Sequence, residues 1–583
     1  MVLSRRRRTG AVPVVAGLTA SMVMGCLPAG EPPAGQQLVR DRTLTYAFFS
    51  PSESDAVPSH LFCTGPYRAT ASGSSDALSG LWFNNLYAVP YGKDVGAPTT
   101  LASLPPAVEN LAPLSYTAGG VSPATDSLGR LFLITLKEQD PLSSFSPTQP
   151  YRMTRYNPRT GARESVGSGT VLSFSPSRTR VFAGERNAGT LFEREGSRPL
   201  AGIRGLPVFV GEDFYYVAVP ASDSPDRPPT SSTLTRIKPD GEPEAIYSVP
   251  GYLGITAIEG GETPRLLVNQ GAATPALPYL FMLDLDTLTR TPLPSNLENL
   301  GFLSASPSGR WLLFQASTAP TSSTGLPSQT LTLIDWTTGT RTDLDPAVIG
   351  EMGLGSSTSP EWRPGRDQLW IQTDKGAFTI EEPGDRVTAV AMPPGLALSP
   401  LQRADTGWYS VFTRDGLHWF SRYPPFDGRV YIGQADDPAS PMLQVNPDGT
   451  WTAPYWDIGD GRLLVGAWAD QLSRQELYLV ALAAGTSQAL AGGGHAVAVG
   501  RTRALALLEW DGARDAGTLT LIDLASGAKT PLADEVYEVA VDPRRSADVL
   551  PGTDPLAAGT KVAFLSRGRL ASPYDGLWVT ELP

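Results

Sequence analysis

The histidines are the side chains of this chain that could serve most directly as general bases or metal ligands. There are three of them, His60, His418 and His495. They are far apart and have none of the short spacings with Cys, Asp or Glu that a metal site needs. His495 lies in the Gly-rich segment Gly492–Ala496, where a structural or solvent-facing position is expected. We therefore predict no catalytic histidine, no metal site and no cofactor.

Carboxylates are the second group that could do acid–base chemistry, since paired Asp and Glu residues hydrolyse glycosidic bonds. However, Asp284, Asp335 and Asp523 occupy the same position in copies of one repeat. An Asp that recurs at the end of a strand is typical of a turn, where its side chain accepts backbone N–H groups. Asp457–Gly461 and Asn446–Gly449 have the composition of calcium loops but lack the alternating ligands of an EF-hand. We interpret all of them as turns.

The sequence pattern also contains no activated nucleophile. It has no Gly-x-Ser-x-Gly elbow of the type found in α/β-hydrolases. Cys63 follows the apolar pair Leu61 and Phe62, which is typical of a buried, inert thiol. We therefore predict no catalytic residue in this chain and expect a protein that is not an enzyme.

Aromatic side chains could instead form a binding surface. The sequence has 12 Trp and 19 Tyr, and Trp451–Trp456 together with Trp362, Trp408 and Trp419 could line one face. Such a face would stack on sugar rings or anchor a protein partner. The alternative, which we expect, is that these large rings fill the contacts between structural repeats.

A repeat of 15 residues must position all of these side chains. Thr330–Leu344 (TLTLIDWTTGTRTDL) reads as a strand, a polar turn and a second strand. Ungapped copies stand at Arg152–Val166, Tyr279–Leu293, Glu476–Leu490 and Thr518–Leu532. Weaker copies stand at Leu86–Leu101, Thr190–Leu200, Thr233–Val249, Gly376–Val390 and Arg429–Val445. The intervals correspond to one or about three periods of 42–51 residues.

A second element follows many of these copies. Ser306–Phe314 (SPSGRWLLF) is a Pro/Gly turn that leads into an apolar strand. Variants begin at Ser175, Ser359, Ser399 and Asp542. Each period thus holds about four short strands, and a four-stranded unit of about 40 to 50 residues is the signature of a propeller blade. Over residues 42–583 we predict an all-β protein, a β-propeller of about ten four-stranded units in one large ring or two rings.

The two ends of this repeat region are expected to meet. Asp575–Leu582 reads as the first strand of a unit that is left unfinished. Thr43–Phe49, near the start of the repeats, is predicted to pair with it. Such pairing would remove two exposed strand edges.

The combination of LTLID-x-x-TG with SPSGRWLLF resembles the propeller repeats of TolB-type periplasmic proteins and of prolyl oligopeptidases. In those repeats the second element reads Ser-Pro-Asp-Gly-(Lys/Arg), and here Ser308 replaces the aspartate. The resemblance covers most of residues 80–580 at the level of repeat type. It implies a fold, and the same fold carries many different functions.

Residues 1–25 resemble the signal peptide of a bacterial lipoprotein. A run of four arginines precedes the apolar stretch Ala11–Gly25, which is too short and too interrupted to span a bilayer. Val23–Cys26 (VMGC) resembles the lipobox, although Met24 departs from the small or aliphatic residue usual before Gly-Cys. The resemblance implies cleavage before Cys26 and lipidation of its thiol, and the alternative is an ordinary secretory signal. Residues 26–41 begin with Pro/Gly-rich sequence and are predicted to form a tether.

The net charge of −12 argues against nucleic acid as a partner, because nucleic-acid binding needs a concentrated positive face. Leu27 is not the acidic residue that retains some lipoproteins at the inner membrane, so the resemblance implies the outer membrane. We expect a lipid-anchored protein of the bacterial cell envelope that binds an envelope protein or polysaccharide without catalysis. The alternative is a glycosidase or lyase with carboxylates at the central opening of the propeller.

Overall fold

The structure of the 583-residue chain is a computed structural model. The residues it describes belong to the compact unit Pro33–Pro583, and the unit Met1–Pro32 lies outside them. All regular secondary structure in these residues is β-strand. The described residues are 33–40, 46–49, 60–64, 67–69, 81–83, 86–90, 109–113, 116–117, 120–121, 126–137, 152–157, 162–168, 171–185, 187–194, 196–220, 223, 227–258, 260–261, 263–271, 279–294, 297, 300–317, 328–344, 352–353, 360–363, 365–373, 376–381, 386–389, 408–412, 417–422, 430–434, 443–445, 450–468, 475–499, 501–511, 516–541, 561–567 and 573–582.

The N-terminal part contains twelve of the strands. They are β1 (Gln36–Val39), β2 (Tyr46–Phe49), β3 (His60–Thr64), β4 (Tyr67–Ala69), β5 (Leu81–Phe83), β6 (Leu86–Pro90), β7 (Glu109–Pro113), β8 (Tyr116–Thr117), β9 (Gly120–Val121), β10 (Leu131–Lys137), β11 (Arg152–Tyr156) and β12 (Arg163–Ser168). Their sheet orders are β2-β3-β6, β8-β9 and β12-β11-β10-β7-β5-β4. In the last of these, β7, β10, β11 and β12 pair along their length, whereas β5 joins β7 through the single pair Phe83–Leu111.

Six successive sheets make up the middle of the chain, and each contains four strands in sequence order. The strands are β13 (Val171–Phe174), β14 (Val181–Gly184), β15 (Ala188–Phe192), β16 (Ser197–Ala201); β17 (Ile203–Val210), β18 (Asp213–Ala218), β19 (Ser231–Ile237), β20 (Glu244–Pro250); β21 (Tyr252–Ile258), β22 (Arg265–Gly271), β23 (Tyr279–Asp284), β24 (Arg290–Pro292); β25 (Gly301–Ala305), β26 (Trp311–Ser317), β27 (Ser328–Asp335), β28 (Thr340–Asp343), with β29 (Met352–Gly353) also on β27; β30 (Glu361–Trp362), β31 (Gln368–Thr373), β32 (Gly376–Glu381), β33 (Arg386–Ala389); and β34 (Trp408–Phe412), β35 (Leu417–Arg422), β36 (Val430–Gln434), β37 (Leu443–Gln444).

The C-terminal part is one continuous ten-stranded sheet, β1-β46-β45-β44-β43-β42-β41-β40-β39-β38. Its further strands are β38 (Thr450–Gly459), β39 (Arg462–Trp468), β40 (Gln475–Ala481), β41 (Thr486–Val499), β42 (Arg503–Asp511), β43 (Ala516–Asp523), β44 (Lys529–Val541), β45 (Lys561–Ser566) and β46 (Gly576–Glu581). Two of them, β41 and β44, are long because each serves as the fourth strand of one unit and the first strand of the next.

Among the described side chains, central strands are apolar on both sides where their sheet packs between two others. In β18, the side chains of Phe214 and Tyr216 pack on the preceding sheet, whereas Tyr215 and Val217 pack on the following one. Alternate residues of a strand point to opposite faces, so a sheet covered on both faces needs an unbroken apolar run. Equivalent clusters join most neighbouring pairs of sheets from β10 to β46. Four-stranded antiparallel sheets stacked face to face in chain order form a β-propeller.

The first strands of the sheets lie innermost. β13 lies next to β17, and β17 lies next to β21, so these strands converge across sheet boundaries. Because the strands of each sheet are antiparallel, the turns from strand one to two and from three to four share one end of the unit. We name that end the turn face, and it includes residues 306–310 and 335–340. The opposite end, which carries the connections from strand two to three and from each sheet to the next, is the loop face.

The predicted repeats are confirmed as strand–turn–strand segments, and each forms the third and fourth strands of a unit. The ungapped copies correspond to β11–β12, β23–β24, β27–β28, β40–β41 and β43–β44, and four weaker copies correspond to β15–β16, β19–β20, β32–β33 and β36–β37. The weak copy at Leu86–Leu101 differs, because Leu86–Pro90 is β6 and pairs with β3, while residues 91–101 lie outside the described residues. Ser306–Phe314 connects strands one and two of its unit. The repeat number of about ten, and the choice between one ring and two, stay predictions.

The predicted meeting of the two ends is confirmed, but two details of the prediction are wrong. The C-terminal strand is the third strand of the last unit and not the first strand of a new one, and its partner is not residues 43–49. The C-terminal strand β46 pairs with β1 through Gln36–Val579 and Gln37–Trp578, whereas residues 46–49 form β2 and pair with β3. A strand-like pattern such as Thr43–Phe49 marks a strand but does not select its neighbour.

The predicted tether over residues 26–41 is therefore too long, because residues 36–39 belong to the sheet. In β1 the side chain of Leu38 is buried, and Gln37 Nε2 donates hydrogen bonds to the carbonyls of Pro573 and Asp575. These contacts join residues more than 500 positions apart, so the local composition of a Pro/Gly-rich segment cannot reveal them.

Candidate binding groove

A groove lies on the loop face where three successive first strands begin, β17, β21 and β25. We name it the inner-strand groove; its exposed part is formed by Arg204, Leu206, Tyr252, Asn269 and Phe302. Its volume is about 280 Å³. The floor consists of buried side chains of the neighbouring strands, including Leu267 and Phe314. The groove is thus an apolar depression with a few polar groups, which is the usual composition of a binding site.

Leu206 stands out from the sheet because β17 contains a bulge. The pairing of β17 with β18 shifts register between Arg204 and Val208, and Gly205 has φ +78° within this bulge. A positive φ favours glycine, and a β-bulge redirects the side chain beside it. The side chain of Leu206 is 55% exposed as a result. The bulge therefore places an apolar side chain in solvent at the edge of the groove.

Tyr252 forms the second exposed wall of the groove. Its ring lies along the sheet over Gly254, where a Cβ would lie 2.8 Å from the Tyr252 hydroxyl oxygen. Its cross-strand partner is another glycine, Gly271. The two glycines leave room for the ring, which is 40% exposed. Of the four large apolar or aromatic side chains exposed in the described part of the chain, Leu206 and Tyr252 line this groove.

Asn269 contributes an unused hydrogen-bond acceptor. Its Oδ1 atom is buried and has no hydrogen-bond partner within the described residues. Its cross-strand partner in β21 is Gly254, which has no side chain that could donate a hydrogen bond to it. An unsatisfied buried polar atom costs about 1–3 kcal/mol, so a native protein that keeps one needs a reason for it. An ordered water or a ligand that donates a hydrogen bond in the groove would satisfy this atom.

Arg204 is the one charged side chain that the described residues place in the groove lining. Its Nη2 atom donates a hydrogen bond of 3.2 Å to the carbonyl of Arg227. That bond holds the guanidinium at the edge of the groove. Neither Asp nor Glu occurs among the lining residues that the structure describes.

The recurring aspartates confirm their predicted role in turns. Asp284 Oδ1 accepts the backbone N–H groups of Asp286 and Thr287 together with the Thr287 hydroxyl. Asp335 and Asp523 make the same contacts to the residues two and three positions further on. Hydrogen bonds to the ionised form lower the pKa of Asp284 and Asp523. These carboxylates are engaged by their own turns.

Asp335 has an additional partner. Its Oδ2 atom accepts hydrogen bonds from Nε and Nη2 of Arg310, at 3.0 and 2.6 Å. Burial of the carboxyl raises its pKa, but the bonds from Arg310, Thr337 and Thr338 outweigh burial and lower the pKa to about 2. The ion pair joins the turn before β26 to the turn after β27, which stabilises one unit internally.

A larger cavity of about 580 Å³ lies on the turn face between the β25–β26 turn and the β30–β31 turn. Its lining includes charges of both signs, and its carboxylates accept hydrogen bonds from neutral side chains beside them. Asp367 accepts hydrogen bonds from the Ser308 backbone N–H and hydroxyl, and Gln368 donates to Glu381. Glu212 likewise accepts from Ser177 and Thr179 of the preceding sheet. We interpret this cavity as a contact between sheets.

The remaining predicted candidates are not brought together. His60, His418 and His495 lie in β3, β35 and β41, in three different sheets. Within the described residues, no group of three or more His, Cys, Asp or Glu could hold a metal ion. Cys63 lies in the middle strand β3 of its sheet, and Cys26 lies outside the described residues. No helix in the described part of the chain is long and apolar enough to cross a membrane.

Two further predictions are confirmed within the described residues: a tight turn in Asp457–Gly461 and a packing role for Trp362. Asp460 and Gly461, at the end of Asp457–Gly461, both have positive φ and form the two-residue turn between β38 and β39. Residues 446–449 lie outside the described part. Trp362 packs between two sheets, and its Nε1 donates to Ser304 Oγ at 3.1 Å, which confirms its packing role. Trp408, Trp419 and Trp451–Trp456 are placed only by their strands β34, β35 and β38.

The residues of the groove were not recognised in the sequence. The signal that could have found Leu206 is its position between Gly205 and Pro207, which interrupts an apolar strand. Asn269 gives no local signal, because its orphaned oxygen depends on the glycine opposite it in another strand.

No known protein family and no curated protein matches the chain. Similar solved structures include the β-propeller domain of the Trilobed protease from Pyrococcus furiosus, with 10% identity, 58% of this chain and 91% of that chain covered and a TM-score of 0.25. Dipeptidyl peptidase 4 from Porphyromonas gingivalis has 10% identity and a TM-score of 0.32, and the alignment covers 86% of this chain and 64% of that chain. TolB from Acinetobacter baumannii has 14% identity and a TM-score of 0.21, and the alignment covers 59% of this chain and 77% of that chain. The resemblance to such propellers lies in the fold alone, and the propeller assignment rests on the sheet order and packing described above.

Proposed function

We propose that this protein is a lipid-anchored, non-catalytic binding module of the bacterial cell envelope, with the inner-strand groove as its binding site for an envelope protein or polymer. The observation that carries the proposal is the exposure of Leu206 and Tyr252 at one groove beside the orphaned acceptor of Asn269. Exposed apolar side chains that cluster with unsatisfied polar groups are characteristic of an interaction site.

The chemistry of the groove favours binding over hydrolysis. A glycosidase needs two carboxyl groups about 5–10 Å apart on either side of the scissile bond. The lining instead offers Arg204, Asn269, Tyr252 and aliphatic side chains. The recurring aspartates, which resemble catalytic groups in the sequence, are held by turns on the opposite face.

The N-terminal strand begins at the end of its sheet opposite to the face on which the groove opens. β46 runs toward the turn face and β1 is antiparallel to it, so the chain enters β1 from the turn face. The groove opens on the loop face.

Capture of partners from intact envelopes tests the proposed function. Wild-type protein and a Leu206→Ser/Tyr252→Ser double variant are used as bait, and the captured material is analysed for both protein and polysaccharide. We expect a partner whose recovery falls about tenfold or more with the double variant, the loss typical of a binding hot spot.

The matched control is the double variant Leu288→Ser/Val387→Ser. It removes two side chains of similar exposure, 40% and 39%, outside the groove. Equal recovery of every partner by the wild type and both double variants would contradict the groove as the binding site.

A further inference from the structure

We propose that the inner-strand groove binds an extended peptide segment in which a bulky apolar residue is followed or preceded closely by an acidic residue. This inference rests on the proposed function and specifies the chemistry of its partner. A protein partner is thereby favoured over a polysaccharide.

The size of the groove limits what can enter it. A volume of about 280 Å³ holds a few side chains, so only that much of a partner can enter the groove. The walls formed by Leu206, Tyr252 and Phe302 suit one large apolar side chain. Leu206 and Tyr252 are already exposed in the free protein, so both are available to a partner's side chain.

The charge at the edge of the groove selects an acidic neighbour for that side chain. Arg204 carries the one charge of the described lining, and its bond to the Arg227 carbonyl orients the guanidinium. A guanidinium pairs with a carboxylate through two parallel hydrogen bonds. The chain as a whole has a net charge of −12 and would repel an acidic segment over most of its surface. The positive charge of Arg204 would attract such a segment at the groove.

The Asn269 oxygen offers a hydrogen-bond acceptor to the partner once its buried side chain turns toward the groove. Asn269 is the cross-strand partner of Gly254, over which the ring of Tyr252 lies. An extended peptide presents backbone N–H groups at regular intervals, and such main-chain bonds commonly fix a bound segment. One amide from the segment would satisfy Asn269 while the side chains contact the walls and Arg204.

Selection from a random heptapeptide library displayed on phage tests this proposal, with the full-length protein immobilised. We expect enriched sequences that contain a large apolar residue within two positions of Asp or Glu. Binding of an enriched peptide should fall about tenfold or more with Leu206→Ser, and remain unchanged with the control Leu288→Ser. Arg204→Glu should shift the selected sequences from Asp and Glu to Lys and Arg.

The variant Asn269→Leu distinguishes a role of Asn269 in binding from a role in the stability of the fold. It removes the unsatisfied oxygen, so the melting temperature should stay equal or rise, while binding of the enriched peptide should fall about tenfold. Loss of binding together with a lower melting temperature would assign Asn269 a structural role and overturn its part in recognition.

The results distinguish failure of this inference from failure of the proposed function. Enriched peptides that lack acidic residues, or that bind Arg204→Glu equally well, would overturn the acidic partner. Groove-dependent binding of an oligosaccharide array, with no groove-dependent peptide, would overturn the peptide partner and leave the binding function in place. Absence of any groove-dependent ligand from both the library and the envelope capture would contradict the proposed function itself.

Discussion

At the scale of single residues, the carboxylates of this protein divide according to what surrounds them. Asp284, Asp335 and Asp523 each end a third strand and accept the N–H groups of the turn that follows. This role was predictable from the sequence because the turn is local and recurs. The exposed Leu206 and the orphaned Asn269 were not predictable in the same way, since a bulge and a cross-strand glycine determine them.

Asp335→Asn tests the turn and its ion pair through pH. The folded-state pKa of about 2 lies below the ordinary value of 3.8, so the carboxylate stabilises the fold at neutral pH. That contribution, on the order of 2 kcal/mol, should be present above about pH 4 and be lost as the pH falls toward 2. Denaturant unfolding of wild type and variant from pH 7 to pH 2 measures it, and we expect the difference in unfolding free energy to shrink on acidification.

Asp284→Asn is the matched control for that series. Asp284 accepts hydrogen bonds from its own turn as Asp335 does, but within the described residues it forms no ion pair like that of Asp335 with Arg310. Its variant should lose less stability than Asp335→Asn at pH 7. An equal loss, or a difference that does not depend on pH, would show that the Arg310 pair contributes nothing.

At the scale of elements, the unit of this fold is a sheet buried on both faces. The apolar runs of the second and third strands and the polar turns after the third strands allowed four-stranded units to be predicted from the sequence. The pairing of β1 with β46 could not be predicted, because four residues with one buried leucine give too weak a pattern. Closure depends instead on contacts between the two ends of the chain.

Gly35→Ala tests whether β1 closes the last sheet. Gly35 has φ +115°, and a Cβ there would lie 2.3 Å from the carbonyl oxygen of Val579. The variant should therefore displace the start of β1 from β46, lower the melting temperature and speed hydrogen exchange at the amides of β46. Hydrogen-exchange mass spectrometry of the C-terminal peptide measures this directly.

Gly167→Ala provides the matched comparison. Gly167 has a similar φ of +127°, but no atom lies within 4 Å of a Cβ added there. Its variant should carry the backbone strain alone and leave exchange in β46 unchanged. Equal exchange of β46 in both variants would mean that β1 does not hold the sheet closed.

At the scale of the whole molecule, the repeat allowed the fold to be predicted but did not indicate the function. A repeat specifies stacked sheets, whereas the groove lies where three units meet and where one of them departs from the repeat through its bulge. The order of the strands then gives the unit two distinct ends. The N-terminal strand enters from the turn face, and the groove opens on the loop face.

Cys26→Ala tests the proposed lipid anchor. We expect the variant to leave the membrane fraction and to lose incorporation of a labelled fatty acid, because the thiol is the proposed lipidation site. Fractionation and labelling of cells that produce either form measure both effects. Retention of the variant in membranes with unchanged labelling would contradict lipidation at Cys26.

Site-specific photo-crosslinking in living cells tests the binding function of the groove most directly. A photoreactive phenylalanine analogue replaces Leu206 in one strain and Val387 in the other, two positions that are both exposed in the free protein. A discrete crosslinked adduct is predicted at position 206, absent at position 387 and lost when Tyr252→Ser is added. Identical crosslinking patterns at the two positions, or no adduct at position 206, would contradict the account.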